Sequence, residues 1–273
     1  MRVLAINDLS CVGKCSLSVT LPIISACGVT CDVLPTALLS THTGGFEGYT
    51  FRDLTADMSG VLSHWKSLGL TFDFVYSGYL GSISQIETVK QIKRDFLSPD
   101  GKFIVDPVMG DSGKLYAGFH GDFVKEMKKL CKEADFILPN LTEACYLADV
   151  PYPNSNEAPV EQILNGLQKL CSRPIVTGIL KNDVISVYYK TETGKTEWYS
   201  SENVAGFFCG AGDVFASAFV GSLARGKDEQ TAIRLAADFT TASIRRSAKE
   251  VADKRYGLNF EKEIFPFLQN LNN

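Results

Sequence analysis

The order of short apolar runs and longer amphipathic segments is the feature that most constrains the fold of this chain. A short apolar run at 3–6 is followed by a polar turn through Gly13 and by helical periodicity from Cys15 to Ala26. Because consecutive strands are separated by helix-length crossovers, this order predicts an α/β fold with a mostly parallel central sheet and helices on both faces. Further strand-like runs lie at 30–34, 72–76, 102–105, 135–138 and 174–177, and helical patterns lie at 52–67, 84–97, 120–132, 141–148 and 157–171.

The last third of the chain departs from the alternation once. Residues 183–189 and 197–199 flank a turn at Gly194 without room for a helix, which predicts an antiparallel hairpin near 184–200. Helical patterns then resume at 211–225 and 228–247. With 273 residues and no repeat or long linker, the chain is expected to form a single domain over 1–273.

Composition narrows the class of partner. The chain is 45% hydrophobic with a net charge of -4, and its basic residues are scattered rather than gathered into a stripe. This pattern favours a globular protein with a small-molecule ligand over one that binds nucleic acid or an anionic membrane. No apolar run is long enough to cross a bilayer, and the opening residues turn polar at Asn7-Asp8, so we expect a cytoplasmic protein.

Eight cysteines raise the question of disulfides or zinc. Cys11 and Cys15, like Cys27 and Cys31, have three residues between them, and the other four stand alone. None forms a C-x-x-C pair, and only three histidines could supplement them. The spacing therefore favours buried, reduced thiols over a zinc site.

A glycine-rich segment at 209–215 is the most informative motif. Gly210, Ala211 and Gly212 open an apolar helix, and small residues let a ligand approach the backbone closely. The unpaired N–H groups of a first helical turn, together with the helix dipole, form an anion site. Asp213 lies beside them. On this motif alone it is either a first-turn acid that stabilises the helix or a functional carboxylate.

Two further polar segments follow predicted strands. Residues 106–111, Asp-Pro-Val-Met-Gly-Asp, come after the strand at 102–105, and Asn140 to Glu143 follow the strand at 135–138. In open α/β sheets, ligands collect at the carboxyl ends of the strands. Each segment also has a purely structural interpretation, an Asp-Pro turn for the first and a helix capping box for the second.

The motifs together resemble a known family. Gly-Ala-Gly-Asp before a hydrophobic helix resembles the signature of ribokinase-superfamily kinases, and 106–111 with Asn140-x-x-Glu143 resembles motifs of the pyridoxal (vitamin B6) kinases. The resemblance covers nearly the whole chain. It implies a ribokinase-like fold and ATP-dependent phosphorylation of the 5′-hydroxymethyl group of pyridoxal, pyridoxine or pyridoxamine.

The resemblance also implies roles for individual residues. Asp213 would be the general base, and the backbone of Gly210, Ala211 and Gly212 would receive the charge that develops on the phosphoryl group. Many vitamin B6 kinases have Thr where this chain has Ala211, but the backbone N–H is retained. The implied ATP-binding residues are Asp106, Asp111, Asn140, Glu143, Thr177 and Gly178. The implied metal residues are Asp106 and Glu143 for Mg²⁺ and Tyr116 for a monovalent cation such as K⁺.

On the acceptor side, the segments at 40–45 and 77–81 resemble those around the pyridine ring in vitamin B6 kinases. Thr43 would bond the polar edge of the ring and Tyr79 would pack against its face, while His42 is expected to be a hydrogen-bonding loop residue. Asp8 departs from the family's usual Ser, and its carboxylate could pair with the pyridine nitrogen or with the amine of pyridoxamine. Cys209 could face the substrate and form an adduct with an aldehyde, aided by a pKa lowered at the helix terminus, or could simply pack.

Alternatives stay open at this stage. A hydroxymethylpyrimidine or hydroxymethylpyrimidine phosphate kinase would share the architecture and mechanism, whereas a sugar kinase fits the acceptor motifs less well. A non-catalytic nucleotide- or B6-binding protein would need no base beside an anion site. The family resemblance further implies a homodimer, with the apolar segment containing Phe260, Phe265 and Phe267 as a candidate contact.

Overall fold

A six-stranded sheet forms the centre of the molecule. The computed structural model describes residues 1–154, 158–206, 208–251 and 253–273. The sheet order is β3-β2-β1-β4-β5-β8, with only β3 antiparallel to its neighbour among these described strands. These strands are β1 (Arg2–Val12), β2 (Thr30–Thr41), β3 (Phe51–Asp53), β4 (Phe72–Ser77), β5 (Leu97–Val105) and β8 (Phe136–Ile137), and a two-stranded ribbon of β6 (Gly110–Asp111) and β7 (Lys114–Leu115) lies between β5 and β8 in the chain.

A second sheet extends the first. Its strands are β9 (Ile175–Lys181), β10 (Val184–Lys190) and β11 (Thr196–Glu202), and β10 pairs antiparallel with both neighbours. Single parallel bridges join Ile137 to Pro174 and Asn140 to Thr177, so β9 begins beside β8. The predicted antiparallel hairpin near 184–200 is therefore confirmed as β10 and β11.

Helices cover both faces of the sheet, as predicted. Val3 and Ala5 of β1 belong to a core that includes α1, α7, α8 and α9, whereas Leu4 and Ile6 belong to a core that includes α2 to α6. This alternation follows from the period of two along a strand, and a strand buried on both faces has to be apolar throughout. The helices are α1 (Leu17–Ala26), α2 (Thr55–Ser67), α3 (Ile83–Phe96), α4 (Gly121–Cys131), α5 (Leu141–Ala148), α6 (Val160–Leu167), α7 (Ala211–Ala224), α8 (Glu229–Glu250) and α9 (Ile264–Asn272), with single 3₁₀ turns at Lys254–Tyr256 and Glu261–Glu263.

Two segment boundaries differ from the sequence-based prediction. The predicted helix at 52–67 begins only at Thr55, because Phe51–Asp53 pairs with β2 as an edge strand. Such pairing with a distant strand is invisible to local periodicity. The predicted helix at 157–171 corresponds to α6, and its predicted first residue lies outside the described residues.

The carboxyl ends of the parallel strands β1, β4, β5 and β8 point to the same edge of the sheet. The amino end of α7 lies at that edge as well, because Asp213 contacts Asn7 of β1. Every motif singled out in the sequence lies at this edge or in a loop beside it. In the ranges that the structure describes, no helix is long and apolar enough to cross a membrane.

Candidate active site

The amino end of α7 forms an open N–H cradle. The first intrahelical bond runs from the N–H of Val214 to the carbonyl of Gly210, so the N–H groups of Gly212 and Asp213 have no acceptor four residues earlier in the chain. Gly210 has φ of 77°, and a Cβ there would overlap the carbonyl oxygen of Lys14. Only glycine therefore lets the chain enter the helix this close to the turn after β1. A Cβ on Gly212 would meet no protein atom within 4 Å, so the cradle opens onto free space.

Asp213 lies in the first turn of α7 with part of its surface open to this space. Burial raises the pKa of its carboxyl to about 6, and the charge of Asp8 adds to this effect. Hydrogen bonds from the backbone of Ser16 and from the Asn7 side chain act in the opposite direction, and the Asn7 Nδ2 lies 3.4 Å from Oδ1 of Asp213. A carboxylate with this pKa is ionised at neutral pH and is a stronger base than an ordinary aspartate.

Asn7 is a site residue that the sequence motifs did not identify. It is fully buried in the middle of β1, directly after the stretch Val3–Ile6 that pairs with β4, and its Oδ1 accepts hydrogen bonds from the backbone N–H groups of Tyr79, at 2.8 Å, and Asp8, at 3.0 Å. A Cβ on Gly78 would overlap the Asn7 side chain. Asn7 therefore holds Asp213 and the Tyr79 segment in one arrangement. In the sequence, the one indication of this role was that Asn7 is a polar residue directly after the apolar run at 3–6.

A buried carboxylate pair, Asp106 and Glu143, lies at the same edge of the sheet. Glu143 is 2% exposed, and its two oxygens accept hydrogen bonds from the backbone N–H groups of Met109, at 3.0 Å, and Asn140, at 2.9 Å. Burial raises the pKa of Glu143 to about 8 despite these bonds. Burial and the neighbouring charges of Glu143 and Asp213 raise the pKa of Asp106 well above its usual range. Both carboxyls are therefore harder to ionise than ordinary aspartate and glutamate side chains.

The predicted capping box is confirmed, and it also organises the loop after β5. The Asn140 Oδ1 accepts from the N–H of Glu143 at 3.0 Å, while its Nδ2 donates to the carbonyl of Gly110 at 2.9 Å. The N–H of Gly113 donates to the Thr142 hydroxyl at 2.9 Å. Side chains at the start of α5 therefore hold the loop at 106–113 in place by bonding its backbone.

Four more predicted residues lie in this part of the molecule. The N–H of Tyr116 donates to the Met109 carbonyl at 2.9 Å, and although the residue is 42% exposed, desolvation of its hydroxyl and the nearby carboxylates raise the pKa of that hydroxyl. The Asp111 Oδ1 accepts from the N–H of Ser112 at 2.7 Å. Thr177 lies beside Asn140 on β9, and its N–H donates to the Pro139 carbonyl at 3.0 Å. Gly178 follows it with φ of 73° and open space where a Cβ would stand.

On the other side of Asp213, Asp8 is 7% exposed and accepts hydrogen bonds from the hydroxyls of Ser16, at 2.5 Å, and Ser10, at 3.4 Å. Burial raises the pKa of its carboxyl. Tyr79 is half-buried, with its ring centroid 6.0 Å from that of Phe119, and burial raises the pKa of its hydroxyl to about 12.

Cys209 and Thr43 belong to a second group on this acceptor side. The Sγ of Cys209 lies 3.7 Å from the carbonyl oxygen of Gly44, which places the thiol against the loop that carries the exposed Thr43. Burial, followed by the charge of Asp213, raises the pKa of Cys209. The expected lowering at the helix terminus is therefore wrong, because desolvation and the adjacent carboxylate outweigh the dipole.

All eight cysteines carry free thiols. Five of them are buried, as the spacing predicted: Cys15, Cys27, Cys131, Cys145 and Cys171. Cys11 is exposed instead, at the solvent-facing end of β1, and Cys31 and Cys209 are half-buried. Two surface cavities, of about 380 and 530 Å³, lie elsewhere on the molecule, and neither is lined by Asp213 or by the carboxylate pair.

The carboxylate pair fits a hard divalent cation. Asp106 and Glu143 supply oxygen donors, and burial raises the pKa of both carboxyls, a desolvation cost that a bound cation would offset. In the ranges that the structure describes, no three Asp, Glu, His or Cys side chains converge as a ligand set. A cation held here would therefore complete its shell with water and phosphate oxygens, which is how Mg²⁺ usually binds.

Comparisons with known proteins agree with this arrangement. The phosphomethylpyrimidine kinase family matches residues 22–258. A pyridoxal kinase of Actinobacillus pleuropneumoniae is 31% identical over 170 residues, or 58% of this chain and 57% of the relative. The chain covers 65% of the length of a Caenorhabditis elegans relative provisionally named pyridoxal kinase.

Solved structures match over almost the full length. A Bacteroides thetaiotaomicron protein, provisionally named phosphomethylpyrimidine kinase and crystallised with pyridoxal, superposes with a TM-score of 0.91 and 36% identity, covering 100% of this chain and 96% of its own. The pyridoxal kinase of Lactobacillus plantarum superposes with a TM-score of 0.91 and 32% identity, covering 98% and 96%. The chain therefore belongs to the phosphomethylpyrimidine kinase family, and it shares the ribokinase-like fold of the pyridoxal kinases.

Proposed function

We propose that this protein is a pyridoxal kinase, which transfers the γ-phosphoryl group of ATP to the 5′-hydroxymethyl group of a B6 vitamer. The observation that carries the proposal is the partly buried carboxylate of Asp213, with a pKa raised to about 6, beside the open N–H cradle of α7. The Lactobacillus pyridoxal kinase and the pyridoxal bound to the Bacteroides relative support the choice of acceptor.

Asp213 acts as the general base in this proposal. It accepts the proton of the acceptor hydroxyl as that oxygen attacks the γ-phosphorus and ADP leaves on the opposite side. The N–H groups at 210–212 stabilise the negative charge on the transferred phosphoryl group, which demands positioning and charge stabilisation more than covalent chemistry. The hydrogen bond from Asn7 keeps the Asp213 carboxylate aimed at the acceptor.

The nucleotide occupies the other half of the cleft. Thr177 and Gly178 contact the phosphates, and Asn140 and Asp111 hold the loop that faces them. Asp106 and Glu143 would hold Mg²⁺, largely through water. When bound, Mg²⁺ neutralises charge on the phosphates. Tyr116 would lie beside a monovalent cation such as K⁺.

The acceptor ring lies between Tyr79 and the loop that contains Thr43. Thr43 bonds the polar edge of the ring, and Tyr79 offers an aromatic face. Asp8 and Cys209 complete this side. Asp8 is buried and bound to the hydroxyls of Ser10 and Ser16. It therefore acts on the pyridine nitrogen, or on the amine of pyridoxamine, either through these hydroxyls or after a small rearrangement.

A homodimer in the cytoplasm is also proposed, on the family resemblance. The contact segment expected from the sequence is largely buried, because Phe260 and Phe267 are 2% and 4% exposed and belong to the chain's own core. Phe265 is exposed, and Trp198 on β11 is a second large apolar side chain at the surface. Light scattering coupled to size exclusion would measure the assembly.

An ADP-release assay tests the function. We expect turnover with pyridoxal, pyridoxine or pyridoxamine that requires Mg²⁺ and increases with K⁺. A higher kcat/KM for hydroxymethylpyrimidine or its phosphate would instead support the second candidate, a pyrimidine kinase, which the name of the matching family favours. Binding of ATP and vitamer without turnover would identify a non-catalytic binding protein and contradict the proposal.

A further inference from the structure

The acceptor loop, residues 42–46, is held by a segment more than two hundred positions later in the chain. This segment, residues 253–257, contains the 3₁₀ turn Lys254–Tyr256 and is called the C-terminal brace below. Arg255 makes most of the contacts. Its Nη1 donates to the Gly45 carbonyl at 3.2 Å, and its guanidinium lies 5.0 Å from the centroid of the Phe46 ring.

His42 links the acceptor loop to the brace from the inside. The N–H of Gly44 donates to Nδ1 of His42 at 3.1 Å, so Nδ1 is an acceptor and Nε2 carries the hydrogen. Nε2 therefore donates to the Arg255 carbonyl, at 2.6 Å. The imidazole is 7% exposed, and a Cβ on Gly13 would lie 2.6 Å from its Cδ2. His42 can thus occupy this position only while residue 13 is glycine.

The brace is stabilised internally and is attached to the turn after β1. Asp253 bonds the guanidinium of Arg255, with Oδ2 and Nη2 2.7 Å apart. The Tyr256 carbonyl accepts from the N–H of Lys14 at 3.0 Å, and the Tyr256 ring lies 5.3 Å from Phe46. The carbonyl of Lys14 in turn abuts Gly210. The brace therefore fixes the acceptor loop relative to the helix that carries Asp213.

We propose that Arg255 is a positioning residue for the acceptor substrate, acting through the acceptor loop. Arg255 contacts Gly45 and Phe46, whereas the carbonyl of the neighbouring Gly44 lies 3.7 Å from the Sγ of Cys209, directly before the α7 cradle, and Thr43 precedes Gly44 in the same loop. Preorganising the loop lowers the cost of binding the acceptor, since less ordering is needed on binding. The nucleotide half of the cleft is built from β5, α5 and β9 and does not depend on this contact. The inference rests on the proposed function.

The Arg255→Ala variant tests whether Arg255 affects acceptor binding without affecting nucleotide binding. We expect the KM for the vitamer to rise about tenfold, the KM for ATP to stay within about twofold, and kcat to change little, as for a residue that contributes to acceptor binding alone. Arg255→Lys keeps the charge over Phe46 but loses the planar guanidinium with its several N–H donors. It should therefore give an intermediate rise in the KM for the vitamer. The matched control is Arg245→Ala, because Arg245 is also an exposed, carboxylate-paired arginine, bound to Glu202 at 2.6 Å.

A second measurement does not depend on activity. Hydrogen exchange of a peptide covering 42–50, without ligands, should be faster in Arg255→Ala than in the wild type and unchanged in Arg245→Ala. If the wild-type protein phosphorylates no vitamer, the proposed function fails while the exchange experiment still tests the brace. Unchanged exchange, or equal increases in the KM values for ATP and vitamer, would overturn the positioning role. Arg255→Lys keeps the test usable should the alanine variant not fold.

Discussion

Asp213 combines a requirement of the proposed chemistry with a penalty in stability. Its folded pKa of about 6 exceeds the ordinary value of 3.8, so the folded protein binds a proton more tightly than the unfolded chain does. Its contribution to stability is therefore largest at low pH and is lost as pH rises from about 4 to 6. At neutral pH the carboxylate is ionised although it is partly desolvated, and the surrounding hydrogen bonds offset only part of this cost.

Replacing Asp213 with asparagine should therefore separate activity from stability. We expect Asp213→Asn to lower kcat by about 10²-fold or more, because the base is removed. The free energy of unfolding at pH 7.5 should rise by about 1–2 kcal/mol, because no charge is buried. Steady-state kinetics and urea unfolding measure the two effects. Asp122→Asn is the matched control, since Asp122 occupies the first turn of α4 and is exposed. Near-normal turnover in Asp213→Asn would exclude this residue as the base.

The pH profile gives an independent measurement of the same group. A base must be deprotonated to accept a proton, so kcat/KM for pyridoxine should fall about tenfold per pH unit below a pKa near 6 and level off above it. An ordinary aspartate would place this limb near pH 4. The residual kcat/KM of Asp213→Asn should not show this fall at low pH. A limb that persists in the variant would belong to the substrate or to another residue.

At the scale of elements, glycine occupies the two positions of the α7 cradle for different physical reasons. Gly210 is required by the protein, because its φ is positive and its neighbour is the carbonyl of Lys14. Gly212 is not, since open space surrounds the position of its missing Cβ. The functional hypothesis assigns that space to the transferred phosphoryl group.

Alanine at each position should distinguish these reasons. Gly210→Ala should destabilise the protein by about 2 kcal/mol or more, through the strained backbone and the overlap. Gly212→Ala should leave the unfolding temperature unchanged or slightly raised, since alanine favours a helix. It should nevertheless lower kcat at least tenfold, because the methyl group occupies the phosphoryl space. Thermal unfolding and kinetics on both variants are sufficient. Full activity in Gly212→Ala would show that the space is not used.

The α5 amino end shows why a structural and a functional interpretation can both hold. Asn140 and Glu143 form the capping box that the sequence suggested, and the remaining donor of Asn140 and both oxygens of Glu143 also bond the 106–110 loop or the helix start. A cap leaves spare hydrogen-bonding capacity, which a neighbouring loop can use.

At the scale of the whole molecule, three carboxylates lie along one edge of the sheet: Asp106 after β5, Glu143 in α5 and Asp213 in α7. The folded pKa of Glu143, about 8, and that of Asp106, which is also raised, exceed their ordinary values of 4.5 and 3.8. The folded protein thus holds more protons than the unfolded chain between about pH 4 and 8. Stability from these groups is gained as pH falls through this window and lost as pH rises.

We expect the free energy of unfolding to increase by about 1–2 kcal/mol between pH 8.5 and pH 6.5, measured in urea without Mg²⁺. Asp106→Asn should be more stable than the wild type at pH 8.5 and should show a flatter dependence, because one charge of the pair is gone. Lys66→Met, which removes a cation at the surface, is a control for general charge effects. A stability that rises with pH would mean that the pair is not protonated in the folded protein.

The sequence by itself determined the features that depend on local rules. Alternating periods of 2 and 3.6 predicted the α/β layers and the hairpin, orphan N–H groups predicted the anion cradle, and Asn140-x-x-Glu143 predicted the cap. The family motifs also brought together the residues that the structure gathers at one sheet edge. The expectation of one domain over 1–273 remains a prediction.

Only the tertiary structure decided the features that depend on distant neighbours. Asn7 reaches Asp213 across 206 positions and His42 reaches Arg255 across 213, and no local pattern contains either contact. The pairing of β3 with β2 and the burial of Phe260 arise in the same way. The pKa values of Asp213 and Cys209 depend on which groups surround them, because desolvation and nearby charge are properties of the packed chain. Residue type and spacing can therefore indicate where a carboxylate stands, whereas its basicity is set by the fold.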